Sequence, residues 1–163
     1  QHSPPFETLK ARSIIKEPEM LVSQMLKSKP ETGVISVKPS STVTDAAKLL
    51  SEHRIGTVVV SEDGEALNGI LSERDIVREL GKRGAGCLND PVSDLMTANL
   101  TTCSPSNSAL EVLEIMTNGR FRHLPVMDDG KMVGLISIGD AVKGRLAQLA
   151  MEKESLEGMI MGH

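Results

Sequence analysis

STVTDAAKLLSEHRIGTVVVSEDGEALNGILSERDIV, residues 41–77, is written a second time as NSALEVLEIMTNGRFRHLPVMDDGKMVGLISIGDAV, residues 107–142, and this duplication decides the fold. With Pro39 placed over Pro105, Val43, Ala46, Ala47 and Leu50 fall on Ala109, Val112, Leu113 and Met116. Both sets follow i, i+3, i+4, i+7, the apolar stripe of a helix. Thr42 stands three residues before Asp45, and Ser108 three before Glu111. A hydroxyl followed by a carboxylate at that spacing marks a helix start. A β-rich run follows in each copy, GTVVV at 56–60 and RHLPV at 122–126. Each leads to an Asp-Gly pair, Asp63-Gly64 and Asp129-Gly130, which suits a hairpin turn. The second strands are LNGIL at 67–71 and MVGLI at 132–136. One extra residue in the first turn shifts the register. Gly69 then matches Gly134, Ser72 matches Ser137, and Asp75 matches Asp140.

The likeness extends upstream. VSQML at 22–26 and VSDLM at 92–96 predict short helices before first strands VISV (34–37) and LTTC (100–103). The unit is helix, strand, helix, strand, strand, helix. The expected class is α/β (α+β), with copy one at 17–82, a Gly/Pro-rich linker at 83–91 and copy two at 92–150. The last helix is predicted from about Asp140 towards Leu156, with Val142, Leu146 and Leu149 on one side and Gly158 as its stop. Residues 151–163 form its extension and tail. Residues 1–16, with Pro4-Pro5 and little periodicity, read as an extended arm. A unit this small cannot cover both faces of its sheet. Two copies packed with pseudo-twofold symmetry can, and that leaves clefts between them. The remaining apolar helix faces predict pairing of two such modules into a homodimer.

Composition narrows the function. Of 163 residues, 39% are apolar and 25% charged, the profile of a soluble globular protein. Trp and Tyr are absent and Phe occurs twice, at Phe6 and Phe121, so aliphatic side chains and Met must build the core. Stacking platforms for single-stranded nucleic acid are missing. Net charge is -4 with no basic block, so neither nucleic acid nor an anionic membrane is an expected partner. Cys87 and Cys103 lack metal-site spacing and read as reduced thiols of a cytoplasmic protein. The apolar runs, such as Val58–Val60, are too short to span a bilayer. No apolar signal segment opens the chain, and Gln1 in place of Met fits a trimmed or processed chain.

Two features carry chemistry. Ser72-Glu73-Arg74-Asp75 and Ser137-Ile138-Gly139-Asp140 each follow a strand and open a helix. In one reading Ser and Asp merely cap the helix. In the other, a carboxylate at a strand's carboxyl end accepts ribose hydroxyls while the helix start holds phosphate. The second feature is Arg120, Arg122 and His123, where copy one has Arg54, Gly56 and Thr57. Arg and His donate to phosphate oxygens, although a basic turn is also a common solvated cluster. His53 and His123 could act as bases, but neither has a partner nucleophile, and the common hydrolase, zinc-protease and P-loop motifs are missing. No catalysis and no metal are expected.

The doubled pattern of Pro, helix stripe, h-P-V, Asp-Gly and G-h-h-S-x-x-D resembles the CBS domain pair, also called a Bateman module, over residues of about 20–150. The resemblance implies a regulatory module that binds an adenosine-containing ligand between its repeats and senses energy or redox state. Its ligand classes are AMP, ADP, ATP, NAD(H) and S-adenosylmethionine. It also implies residue roles. Asp75 and Asp140 match ribose-binding positions, with Ser72 and Ser137 the hydroxyls three places earlier. Arg122, His123 and Arg74 match phosphate contacts, and Thr57 stands where copy two has His123. Ser36 and Thr102 would edge the cleft, and Val37 and Cys103 would lie near the base. The copies differ at 56–57 against 122–123 and at Arg74 against Gly139, so unequal occupancy is expected. The alternative is a ligand-free dimerisation module. Which nucleotide binds, and what protein responds, stay open at this point.

Overall fold

The computed structural model describes residues 19–29 and 33–160, so the predicted arm at 1–16 and the chain's last residues lie outside it. Copy one begins with helix α1 (Val22–Ser28), followed by strand β1 (Ser36–Val37), helix α2 (Val43–His53), strands β2 (Thr57–Val60) and β3 (Gly69–Ser72), and helix α3 (Glu73–Arg83). A 3-10 turn at Gly84–Asn89 occupies most of the predicted linker. Copy two has α4 (Val92–Leu95), α5 (Ala109–Gly119), β4 (His123–Asp128), β5 (Lys131–Ser137) and α6 (Ile138–Ile160).

The predicted caps form. Thr42 Oγ1 accepts from Asp45 N–H at 3.1 Å and Ser108 Oγ from Glu111 N–H at 3.1 Å, and in return each carboxylate accepts from the N–H of Thr42 or Ser108. Both helices end on an arginine in the left-handed region, Arg54 (φ 54) and Arg120 (φ 58). The next residue's N–H, from Ile55 or Phe121, then reaches back to Leu50 or Met116 carbonyl. This closure is how helix carbonyls are satisfied as the chain turns into a strand.

In copy one, β1 runs parallel to β2, and β2 antiparallel to β3 with Thr57 opposite Ser72. In copy two, β4 and β5 pair with His123 opposite Ser137, joined by a tight turn whose Asp129 and Gly130 both have positive φ (51 and 77). The Asp63-Gly64 segment instead forms a wider loop, in which Asp63 Oδ1 accepts from Glu65 and Ala66 N–H. The predicted strand at 100–103 contracts to one parallel bridge, Cys103 with Val126. Gly158 does not stop the last helix, which continues to Ile160. Glycine weakens a helix interior by about 1 kcal/mol and ends it only when a left-handed turn follows.

Each short leading helix packs on the other copy. Val22 and Met25 of α1 join the core of Val112, Met116, Leu124, Ile136 and Ala141 in copy two. Val92 of α4 joins Val43, Leu50, Val58, Leu71 and Ile76 in copy one. Matching hydrogen bonds fix the exchange: Ala109 N–H to Met20 carbonyl at 2.8 Å, and Val43 N–H to Asp90 carbonyl at 3.0 Å. Gly69 and Gly134 make room for it. A Cβ on Gly69 would fall 2.8 Å from Met96 Sδ, and one on Gly134 2.6 Å from Leu26 Cδ2. The copies thus build two cores that neither could complete alone.

Candidate functional site

The exchange brings together four groups from distant parts of the chain. Thr57, at the start of β2, is buried. Its Oγ1 lies 3.2 Å from Nδ1 of His123, at the start of β4. These are equivalent positions of the two copies, so this bond joins the repeats near their pseudo-twofold. Opposite each, across the strand pair, stands a corner serine, Ser72 or Ser137.

At both corners serine and aspartate cap the helix reciprocally. Asp75 Oδ2 accepts from Ser72 N–H at 2.9 Å, and Asp140 Oδ2 from Ser137 N–H at 2.9 Å. In return Ser72 Oγ accepts from Asp75 N–H at 3.2 Å and Ser137 Oγ from Asp140 N–H at 3.1 Å. Neither carboxylate is turned out to water: the side chains are 16% and 19% exposed. Their other partners differ. Asp75 meets Arg78 of its own helix at 3.3 Å, whereas Asp140 meets Lys29 Nζ at 2.8 Å. Lys29 follows α1 directly and also donates to Leu135 carbonyl at 3.0 Å.

A cleft of about 730 Å³ opens between the copies, lined in part by Lys29, Ile35, Gly56, Thr57, His123 and Ser137. That volume is ordinary for a small-molecule site, and the wall is aliphatic with a few convergent polar groups. Burial lowers the His123 pKa first, and Lys29 and Arg122 lower it further, outweighing the pull of Asp140 and Glu73. That lowering favours the neutral imidazole of His123. Burial raises the Asp140 pKa, but the hydrogen bonds from Lys29 and Ser137 outweigh it and hold the group below the usual carboxylate value.

The other predicted positions lie elsewhere. Arg74 and Arg122 are exposed, the latter one residue from His123. Ser36 and Val37 edge a separate depression of about 490 Å³ beside Lys38 and Asp45. Thr102 is exposed. Val37 and Cys103 are buried in the copy-one and copy-two cores, away from the cleft wall. Burial there pushes the Cys103 thiol up to about 11. Lys29 was missed by the sequence reading. A lone lysine carries no signal, and its meeting with Asp140 exists only because α1 crosses over. Among the described residues no cluster of three His, Cys, Asp or Glu could hold a metal ion, and no helix is long and apolar enough to cross a membrane.

Two repeats with exchanged helices and paired Ser-x-x-Asp corners define a CBS pair. The model of the CBS domain matches twice, at residues 22–82 and 92–146, and the chain belongs to this family. It is 35% identical over 148 residues to the CBS domain-containing protein CBSX3, mitochondrial, of Arabidopsis thaliana, covering 86% of this chain and 72% of that protein. The crystal structure of a CBS-domain containing protein from Agrobacterium tumefaciens superposes with a TM-score of 0.72 at 41% identity, covering 77% of this chain and 98% of that one. The structure of CBSX2 from Arabidopsis thaliana in complex with AMP is similar at a TM-score of 0.65 and 30% identity, covering 78% and 96%.

Proposed function

We propose that this protein is a regulatory module whose inter-repeat cleft binds an adenosine-containing nucleotide, with AMP, ADP, ATP and NAD(H) as candidates. The observation that carries the reading is the convergence of Thr57, His123, Ser137 and Lys29 on one cleft, with the Asp140 carboxylate behind that wall, bonded to the Lys29 ammonium that lines it. Asp140 supplies the ribose acceptor. His123, with Arg122 beside it, supplies donors to phosphate. Ile35 and Ile55 offer aliphatic faces to the base. Ser72, Arg74 and Asp75 form the corresponding corner of copy one and a second, unequal site. Binding would bridge the copies and shift their packing equilibrium. The complex of CBSX2 with AMP supports the ligand class. The module acts by binding, without catalysis, in a reducing compartment such as the cytoplasm. It works as a homodimer joined through the exposed stripe of Val142, Leu146 and Leu149 on α6.

The competing reading is a ligand-free interaction module, and the reciprocal capping bonds at both corners favour it. Native protein decides between them. With no Trp or Tyr it absorbs little at 280 nm, so retained nucleotide shows directly at 260 nm, and mass spectrometry of the released ligand identifies it. In calorimetry the double variant Asp75→Ala, Asp140→Ala should lose nucleotide binding while remaining folded. Undiminished affinity in that variant would remove the ribose assignment.

A further inference from the structure

We propose that Lys29 is the charge selector of the cleft, favouring adenine ligands that carry phosphate over neutral or cationic ones. The inference rests on reading the cleft as a nucleotide site and adds the chemistry that sorts its ligands. Lys29 Nζ donates to Asp140 Oδ2 at 2.8 Å and to Leu135 carbonyl at 3.0 Å, and its side chain lines the cleft at 37% exposure. An ammonium has three protons, and two are placed by these bonds, which leaves the third for a ligand.

The same placement sets the discrimination. Asp140 Oδ2 already accepts from Ser137 N–H and from Lys29. A nucleoside without phosphate must share this carboxylate with the ammonium and offers the lysine only neutral hydroxyl acceptors in return. A phosphate does give it something, because a charge-assisted bond to the anion is among the stronger hydrogen bonds. A sulfonium centre would meet repulsion from Lys29 and from Lys27, which also lines the cleft. In the ligand-free protein burial favours the neutral imidazole of His123, so the standing charge at the cleft wall is the lysine's. Lys29 is therefore the fixed positive charge bonded directly to the proposed ribose acceptor.

Copy one lacks this arrangement. The residue corresponding to Lys29, counted from Val22 against Val92, is the exposed Asn99. Asp75 pairs instead with Arg78, which is 61% exposed on the same helix. The two corners should therefore differ in ligand charge preference as well as in occupancy.

The test is calorimetric titration of AMP, adenosine and S-adenosylmethionine into wild type, Lys29→Gln and Lys29→Arg. Lys29→Gln keeps a donor for Leu135 carbonyl, and its fold is checked by circular dichroism. The expected result is wild type preferring AMP, a fall of about tenfold or more in the AMP-to-adenosine affinity ratio for Lys29→Gln, and recovery of most of the ratio in Lys29→Arg. Wild type that binds AMP, with the ratio unchanged in Lys29→Gln, overturns the selector alone. Should Lys29→Gln not fold, Lys29→Arg and wild type decide, because a wild-type ratio near one overturns the proposal equally. Wild type binding none of the three ligands overturns both the cleft reading and the selector.

Discussion

At the Ser72 corner the carboxylate pairs with Arg78, a few residues along its own helix and turned to solvent. At the Ser137 corner it pairs with Lys29, delivered by a helix that began in the other copy. The reciprocal backbone capping bonds match in length, 2.9 and 3.2 Å against 2.9 and 3.1 Å, with Ser72 Oγ also donating to Asp75 Oδ2 at 3.0 Å. Duplication has thus kept the part of each corner that holds a helix on a strand and varied the carboxylate's charged partner. Capping is a local matter of four residues, so it survives wherever those four survive. Ligand chemistry depends on what long-range packing brings alongside, and there the copies have diverged.

The largest expected effect tests that packing. Met25 is buried in the copy-two core although it precedes every strand of copy one. Met25→Ala should cost about 2–5 kcal/mol in urea unfolding, the range for truncating a buried Met. Amide exchange should quicken first in α5, β4 and β5, and only later in β2 and β3. Nucleotide affinity should fall too, because α1 positions Lys29. Protection lost first from β2 and β3 would mean that α1 serves copy one, and the contrast between the corners would lose its structural basis.

A smaller effect compares the two glycines that admit the exchanged helices. At Gly69 a Cβ would fall 2.8 Å from the backbone oxygen of Thr97, which accepts from Ile70 N–H at 3.0 Å. At Gly134 it would meet the end of the Leu26 side chain, which can rotate away. Gly69→Ala should therefore destabilise by about 1–3 kcal/mol and Gly134→Ala by less, since backbone yields less readily than a side-chain tip. Equal urea midpoints for the two variants would show that the copies accommodate the exchange alike.

Much of this frame was legible in advance, for a physical reason. The helix stripes, the Thr42 and Ser108 caps and the Asp129-Gly130 turn are set by neighbours within a few residues, and the duplication confirmed the stripes and caps by repeating them, while the Asp63-Gly64 pair opened into a wider loop. The equivalence of Thr57 with His123 and of Ser72 with Ser137 followed from the same alignment. What could not be read was which surface a helix would seek. The stripe Val22, Met25 fits either core, and only the topology sends it to copy two. Lys29 was invisible for that reason. Val37 and Cys103 were expected near the base from the family resemblance alone, and both side chains turn into their cores. The stripe Val142, Leu146, Leu149 was legible as apolar, yet Ala141, Gly144 and Gln148 face inward instead, and periodicity alone cannot tell the covered side from the open one.

The smallest effect concerns the one titrating member of the Thr57–His123 pair. Burial, together with Lys29 and Arg122, lowers the folded-state pKa of His123 from its ordinary 6.5. The unfolded chain therefore binds a proton more readily than the folded one as pH falls. By linkage, stability rises with pH where the unfolded state holds more protons. The His123 contribution is complete above about pH 6.5 and is lost progressively as pH falls towards the lower folded-state value. Thr57, the copy-one counterpart, does not ionise and makes no such contribution. The difference in urea-unfolding stability between wild type and His123→Gln should therefore shift between pH 7 and pH 5, wild type losing more. A phosphate in the cleft would oppose the shift by favouring the imidazolium, so AMP should be taken up with protons, and its affinity should rise over the same interval. An NMR titration of the His123 ring checks the sign directly: a midpoint at or above 6.5 in the ligand-free protein would show that the pair is not desolvated, and that the copies meet across water instead of through a direct hydrogen bond.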